Sequence, residues 1–262
     1  MNFASTHFQA AIVDLDGTMV DTLGDFEMAL NRALADLDLP PVTRALVERT
    51  VGKGSEHLVR TVLKHQLTLP EVQASGLVCD NTTVDSMYEA AFLRYQHHYG
   101  RVNGQHAEVY AGVLQGLQAF QAQGLPMACL TNKPTAFAKD LLARKGLDGF
   151  FGHVYGGDAF PRKKPDPMPL LETCKALGTA PSHTLMLGDS QNDAQAVADY
   201  AVRVDAAGRV CVSAKNIHQQ KRILSVGRVG RRVAAAPAQP VLIVRSGICR
   251  TVVRRGVRLP DA

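Results

Sequence analysis

The sequence predicts an α/β protein with a parallel-sheet core and an inserted helical cap domain. Short apolar runs alternate with helical segments of about 10–15 residues, which is typical of a parallel sheet with helices on both faces. Between the first apolar run and the others, the chain shows helical periodicity only. We expect residues 1–21 and 105–212 to form the core domain and residues 22–104 to form the cap. Residues 213–262 are expected to form a basic C-terminal tail of undetermined structure.

Each predicted element rests on its own apolar pattern. Residues 9–13, 127–130 and 184–187 are short apolar runs that lead into polar turns, as buried parallel strands do. In the cap, two sets of residues recur at helical spacing: Phe26, Leu30, Ala33 and Leu37, then Tyr88, Phe92, Tyr95 and Tyr99. We expect the aromatic set to form cap core rather than a ligand site.

The basic charge of the protein belongs to one end of the chain. The net charge is +5 and the pI is about 9.0. Residues 200–262 hold 13 of the 29 Lys and Arg residues but only 2 of the 24 Asp and Glu residues. The rest of the chain is therefore mildly acidic, and nucleic acid is not an expected partner of the main body.

Composition excludes several other classes of protein. No apolar run reaches the roughly 18 residues that a membrane-spanning helix needs. The first residues lack the basic start and long apolar stretch of a secretory signal. The five cysteines form no CxxC pair, which argues against a disulfide scaffold or a zinc site. We expect a cytoplasmic protein with no membrane partner.

The candidate chemistry lies where the predicted strands end. In an open parallel sheet, ligands bind beyond the carboxyl ends of the strands. The polar residues at these ends, with one loop lysine, are Asp14, Asp16, Thr131, Asn132, Lys164, Asp189 and Asp193. Clustered carboxylates need a neutralising cation, and carboxylate with water ligands suits Mg²⁺.

The same residue types suit phosphoryl transfer. One aspartate can attack phosphorus and form an aspartyl-phosphate, and a second one two residues on can protonate the leaving group and then activate water. A lysine and a hydroxyl can hold the phosphoryl oxygens. Neither a GxxxxGK[ST] loop nor a Ser-His-Asp arrangement offers a competing chemistry in this sequence.

Four ordered motifs resemble those of the haloacid dehalogenase superfamily, which implies a Rossmann-like core (the haloacid dehalogenase fold) with a cap. The motifs are Asp14-Leu15-Asp16-Gly17-Thr18, Leu130-Thr131-Asn132-Lys133-Pro134, Lys164-Pro165 and Gly188-Asp189-Ser190-Gln191-Asn192-Asp193. The likeness covers residues 8–199, and the helical insertion lies where a helical cap would. Within the superfamily, the second motif, Gly156-Gly157-Asp158 and Gly52-Lys53-Gly54 look most like bacterial phosphoglycolate phosphatases.

The resemblance implies a role for each acidic candidate. Asp14 would be the nucleophile and a Mg²⁺ ligand. Asp16 would be the general acid/base, and its backbone carbonyl would be a further metal ligand. Asp189 would bind Mg²⁺ directly, and Asp193 would support the metal site or its waters.

The remaining candidates are implied to hold the substrate. Thr131 and Asn132 would grip the phosphoryl group, and Lys164 would neutralise it. The cap loop that would close over the substrate consists of Gly52, Lys53 and Gly54. We infer from its charge that Lys53 faces a substrate carboxylate.

Simpler explanations exist for single motifs. Asp14 and Asp16 could be turn acids, Thr131 and Asn132 could cap the next helix, and residues 52–54 could be only a turn. Four such motifs in order favour catalysis.

The implied activity is Mg²⁺-dependent hydrolysis of a small phosphomonoester, with 2-phosphoglycolate as the favoured substrate, by a monomer or a homodimer. Three alternatives stay open. They are a related phosphatase with another substrate, a phosphosugar mutase, and a catalytically impaired protein whose basic tail binds nucleic acid.

The tail itself has three possible explanations. It could be a frameshifted coding sequence, since shifted reading of a GC-rich gene yields Arg, Ala, Gly and Val. It could be a basic extension that binds nucleic acid or anionic lipid, or a divergent but structural C-terminus. Residues 206–212 resemble a final core turn and strand, and residues 241–244 could form another strand.

Overall fold

The computed structural model describes residues 8–204 and 241–244, which divide into two compact units. The second unit is Asp21–Glu108, and the first comprises the described residues before and after it. The second unit extends beyond residue 104, the predicted end of the cap. The carboxylate of Asp25 accepts hydrogen bonds from the backbone N–H groups of Gly104 (2.6 Å) and His106 (2.7 Å), which ties this segment to the helical unit.

The described residues form the following helices and strands, with five consecutive helices in the second unit. In chain order they are β1 (Ala10–Val13), β2 (Val20–Asp21), α1 (Leu23–Ala35), α2 (Arg44–Thr50), α3 (Ser55–Gln66), α4 (Pro70–Ala74), α5 (Asn81–Val102), β3 (Glu108–Val109), α6 (Val113–Ala122), β4 (Met127–Leu130), α7 (Thr135–Arg144), β5 (His153–Tyr155), α8 (Met168–Ala176), β6 (Thr184–Gly188), α9 (Gln191–Val204) and β7 (Val241–Val244).

A parallel sheet with the order β5-β4-β1-β6-β7 forms the centre of the first unit. Val13, the last residue of β1, lies beside Cys129 of β4 and Leu187 of β6. This register brings the carboxyl ends of the three strands to one edge of the sheet. The loops that follow these strands therefore begin next to one another. Most of the predicted site residues belong to these loops.

The sheet is covered on both faces, as the apolar runs predict. All four residues of β1 and all four of β4 are buried, which requires cover on either side because successive side chains point to opposite faces. On one side, α8 and α9 contribute Leu170, Cys174, Ala194 and Val197 to a cluster with sheet residues such as Ile12. This packing fixes the start of α9, where the last motif lies.

The second unit is a helical bundle with an aromatic core. The rings of Phe26 on α1 and Tyr99 on α5 stack with centroids 5.3 Å apart. Tyr95 and Tyr99 are both buried, whereas Tyr88 is half-buried under the guanidinium of Arg60. The burial of Tyr95 and Tyr99 confirms that the aromatic stripe contributes to the core of the bundle, whereas Tyr88 lies at its margin. None of the helices among the described residues is long and apolar enough to cross a bilayer.

The strand suggested at residues 241–244 is present as β7. It pairs in parallel with β6, and Val244 lies opposite Gly188. Residues 241–244 therefore supply a strand to the core sheet, which favours the structural explanation for this part of the tail. The strand suggested at residues 206–212 lies outside the described residues.

Truncation before β7 is expected to lower stability. A chain that ends at residue 240 leaves β6 as an edge strand whose backbone groups lose their partners. We expect its melting temperature to fall by about 5 °C or more, since each kcal/mol is worth about 2–4 °C in a domain of this size. The matched control ends at residue 246 and keeps β7. Equal melting temperatures for the two truncated chains would contradict the prediction.

Candidate active site

The first motif turns sharply at the end of β1. The backbone N–H of Asp14 donates to the carbonyl of Leu187 (2.9 Å), which continues the β1–β6 pairing and fixes the position of Asp14 at the sheet edge. Gly17 has a φ of +80°, and a Cβ at this position would overlap the carboxylate of Asp189. Glycine therefore allows the first and the fourth motif to approach each other.

Three carboxylates meet at this edge. One oxygen from each of Asp14, Asp189 and Asp193 lies within 4.8 Å of the others. Asp14 is 6% exposed and Asp193 is fully buried, whereas Asp189 is half-buried and accepts a hydrogen bond of 2.7 Å from the hydroxyl of Thr18. The structure thus brings together three of the four predicted metal ligands by their carboxylates.

Lys164 is buried against this cluster. Its Nζ lies 3.0 Å from Asp14 Oδ1 and 2.6 Å from Asp193 Oδ1, and it donates to the carbonyl of Leu130 (2.7 Å). Two of its three hydrogens are donated, one to Asp193 Oδ1 and one to the Leu130 carbonyl. Within the described part of the chain, Asp14 Oδ1 accepts no hydrogen bond, so its contact with Lys164 is an ion pair. Lys164 therefore offsets part of the carboxylate charge.

Asp193 is held from both sides. Its Oδ1 contacts Lys164, and its Oδ2 accepts hydrogen bonds from the backbone N–H (3.1 Å) and the hydroxyl of Ser190. Both oxygens of Asp193 therefore already have partners. This favours a role in which Asp193 organises the site over one in which it is a direct metal ligand. Ser190 was not among the predicted site residues, although it lies within the fourth motif.

The second motif forms the loop between β4 and α7. Thr131 is buried, and its hydroxyl accepts a hydrogen bond from the backbone N–H of Lys133 (3.2 Å), which does not use the hydroxyl hydrogen. The amide of Asn132 donates to the backbone carbonyl of Lys164 (2.8 Å) and so joins this loop to the third motif. Helix α7 begins at Thr135 with Pro134 as its N-cap residue, so neither Thr131 nor Asn132 is the cap.

Lys133 is a second site residue, besides Ser190, that was not predicted from the sequence. Its Nζ lies 3.0 Å from Asp16 Oδ1, and its side chain is 1% exposed. The carboxylate of Asp16 thus pairs with Lys133 and is not part of the three-carboxylate cluster. The only signal in the sequence was the position of this lysine within the second motif.

Electrostatics in the cluster favour an added cation. Burial and the nearby Asp193 raise the pKa of Asp14 well above its ordinary value. Burial and Asp193 also raise the pKa of Asp189 to about 7. Three carboxylates against one ammonium leave the cluster net negative, and all the ligand atoms on offer are hard oxygens. The residues therefore fit Mg²⁺, whose charge would favour the ionised carboxylates and so oppose both shifts.

The metal-free protein is expected to lose stability as the pH rises from about 4 to about 7. Asp189 keeps its proton in the folded chain up to a pKa of about 7, whereas an unfolded aspartate ionises near 3.8. Because the folded state then binds more protons, rising pH favours unfolding, by about 4 kcal/mol at most from this group. Urea unfolding of the wild type and Asp189→Asn in a chelator checks this. Equal pH slopes for the two proteins would contradict it.

The predicted cap residues lie apart from this cluster in the chain. Gly52, Lys53 and Gly54 form the turn between α2 and α3 in the second unit, where Gly52 and Lys53 are exposed. Gly52 and Gly54 have φ values of +101° and +93°, which explains glycine at both positions. Their contact with a substrate stays a prediction.

The fold and the four motifs agree with comparisons to known proteins. The family of haloacid dehalogenase-like hydrolases matches residues 8–199, and the chain belongs to this family. It is 37% identical over 188 residues to a phosphoglycolate phosphatase of Thiobacillus denitrificans, which covers 72% of this chain and 78% of that protein. It is also 37% identical to a plasmid-encoded phosphoglycolate phosphatase of Cupriavidus necator, over 71% of this chain and 75% of the relative.

A solved structure shows the same fold. The crystal structure of a predicted phosphoglycolate phosphatase from Haemophilus somnus has a TM-score of 0.65 and 30% identity, and the match covers 73% of this chain and 81% of the other. Together with the family and the named relatives, this similarity makes the chain a phosphoric monoester hydrolase.

Proposed function

We propose that the protein hydrolyses 2-phosphoglycolate to glycolate and inorganic phosphate through a phosphorylated Asp14. The observation that carries this proposal is the meeting of Asp14, Lys164 and two further aspartates at the carboxyl end of the sheet. The relatives named phosphoglycolate phosphatase support the choice of substrate.

The first half of the reaction transfers the phosphoryl group to the protein. A carboxylate oxygen of Asp14 attacks phosphorus, and the bond from phosphorus to the glycolate oxygen breaks. Asp16 gives its proton to that oxygen, so glycolate leaves as an alcohol. Lys164 holds Asp14 by an ion pair (3.0 Å), which restricts the orientation of the nucleophile.

The second half releases inorganic phosphate. Asp16, now ionised, accepts a proton from a water molecule as the water oxygen attacks phosphorus. The bond between phosphorus and Asp14 breaks, and both carboxyl groups return to their starting states. Thr131 and Asn132 are proposed to hold the phosphoryl oxygens in both halves.

Mg²⁺ is the proposed cofactor. Asp14, Asp189 and the backbone carbonyl of Asp16 would hold it, and Asp193 would support it through its bonds to Lys164 and Ser190. When bound, it would withdraw charge from the phosphoryl oxygens and offset the repulsion between the buried carboxylates.

Residues 52–54 are the proposed cap contact. Lys53, between two glycines, provides an exposed positive charge, and the carboxylate is the part of 2-phosphoglycolate that is remote from phosphorus. We propose the cytoplasm as the location, supported by the free thiols of Cys79, Cys129 and Cys174.

Phosphate release from a substrate panel tests the proposal. The panel contains 2-phosphoglycolate, phosphosugars and an aryl phosphate, each with Mg²⁺ and with chelator. We expect Mg²⁺-dependent release that is fastest from 2-phosphoglycolate. Release from other phosphates alone would keep the mechanism and reject the substrate. Isomerisation of a phosphosugar without phosphate release would indicate a mutase.

A further inference from the structure

Lys133 is a buried lysine whose charge the proposed reaction does not use. Its side chain is 1% exposed, although lysine side chains usually reach water. Its Nζ lies 3.0 Å from Oδ1 and 3.4 Å from Oδ2 of Asp16, whose side chain is 18% exposed. A buried ammonium is unfavourable without a partner, so the contact with Asp16 accounts for the burial of this charge.

The backbone that carries Lys133 is fixed at both of its polar groups. Its N–H donates to Thr131 Oγ1 (3.2 Å), and its carbonyl accepts from the backbone N–H of Gly157 (2.9 Å). A Cβ at Gly157 would lie 2.5 Å from the carbonyl oxygen of Asn132, so only glycine permits this approach. The ammonium group of Lys133 therefore extends from an anchored loop.

The turn that contains Gly157 is itself anchored to the first residue of helix α7. The carboxylate of Asp158 accepts a hydrogen bond from the backbone N–H of Thr135 (2.8 Å), and the hydroxyl of Thr135 accepts one from the N–H of Gly156 (3.0 Å). The Gly156-Gly157-Asp158 sequence thus connects the start of α7 to the loop of the second motif. This gives a structural reason for a motif that the reaction itself leaves unexplained.

We propose that Lys133 is a positioning residue that holds the carboxyl group of Asp16 in its working orientation. A carboxyl group rotates readily about its terminal bond, and a donor close to both oxygens restricts that rotation. Proton exchange requires Asp16 to lie within about 2.6–3.2 Å of the leaving oxygen and later of the attacking water. The inference rests on the proposed function, in which Asp16 is the general acid/base.

The test compares Lys133→Met, Asp16→Asn and the double variant. Methionine keeps the unbranched buried stem and removes the charge. Lys139→Met, on the exposed side of α7, is the matched control and is expected to retain wild-type rates. With 2-phosphoglycolate we expect Lys133→Met to lower kcat by about 10- to 100-fold with little change in KM, as loss of acid/base positioning does.

Two readouts separate positioning from a general structural role. If Lys133 acts through Asp16, the double variant is no slower than Asp16→Asn alone. The leaving group of an aryl phosphate departs without receiving a proton, so the first half of the reaction does not need Asp16 as an acid. Lys133→Met should therefore retain the first burst of released phenol, whereas later turnovers slow because the second half still needs Asp16 as a base. Losses that multiply in the double variant, or a raised KM with unchanged kcat, would overturn the proposal.

Failure of the proposed function would look different. If the wild type released no phosphate, or if Asp16→Asn matched the wild type, the acid/base assignment itself would be wrong, and the inference with it. If circular dichroism shows Lys133→Met to be unfolded, Lys133→Gln replaces it, since its amide keeps a donor but no charge. A smaller loss of kcat with the same non-additivity is then expected, and a loss that multiplies with that of Asp16→Asn would overturn the inference.

Discussion

Asp14→Asn is expected to abolish phosphate release. The neutral amide of asparagine cannot replace the carboxylate as the nucleophile that attacks phosphorus, so no phosphorylated protein forms. We therefore expect kcat to fall by about 10⁴-fold or more. Steady-state phosphate release and acid-quenched trapping of phosphorylated protein measure the effect. Asp148→Asn, at an exposed position of the same unit, is the control and is expected to retain full activity.

The same variant is expected to keep its fold. Burial and the nearby Asp193 raise the pKa of Asp14, which means that its ionised form is unfavourable in the metal-free protein. Asparagine has a similar shape and no charge, so the melting temperature in chelator is expected to stay equal or to rise. Phosphate release by a folded Asp14→Asn protein would show that Asp14 is not the nucleophile.

Lys164→Met is expected to damage both activity and stability. The substitution leaves the carboxylates of Asp14 and Asp193 buried without the ammonium that contacts both of them. Removal of one partner from a buried ion pair costs about 3–5 kcal/mol. We expect phosphate release to fall by at least about 10³-fold because the nucleophile loses its restraint and the site loses positive charge.

The stability loss in Lys164→Met is expected to depend on pH. The raised pKa values of Asp14 and Asp189 mean that these groups take up protons as the pH falls, which removes the unbalanced charge. Urea unfolding in chelator should therefore show a larger loss at pH 8 than at pH 5. Lys175→Met, at a side chain 72% exposed, is the control and should change stability by no more than about 0.5 kcal/mol. An unchanged stability of Lys164→Met at pH 8 would contradict the role assigned to Lys164.

Strands with a continuous apolar run were predictable from the sequence, whereas shorter ones were not. β1, β4 and β6 lie at the expected places because a strand buried on both faces needs apolar residues throughout. β5, by contrast, is three residues long and begins with His153, and all three residues are only half-buried. This strand is stabilised by its backbone pairing with β4. Such pairing does not depend on an apolar pattern in the local sequence, so it could not be predicted from that pattern.

The site shows the same division. The four motifs identified Asp14, Lys164, Asp189 and Asp193, and the structure brings their side chains into one cluster. The pairing of Lys133 with Asp16 joins residues 117 positions apart, and that of Thr18 with Asp189 joins residues 171 apart. The sequence does not show whether a side chain is buried or which distant side chain it contacts, so neither pairing could be predicted.

The sequence by itself determined the class of fold, the helical insertion and the residue types at the strand ends. These follow from local rules, since apolar spacing sets each element and parallel strands present their carboxyl ends at one edge. Only the tertiary structure decided which charge faces which. Lys164 lies against Asp14 and Asp193, and Lys133 lies against Asp16. Both pairings depend on contacts between distant segments, and burial makes these contacts strong.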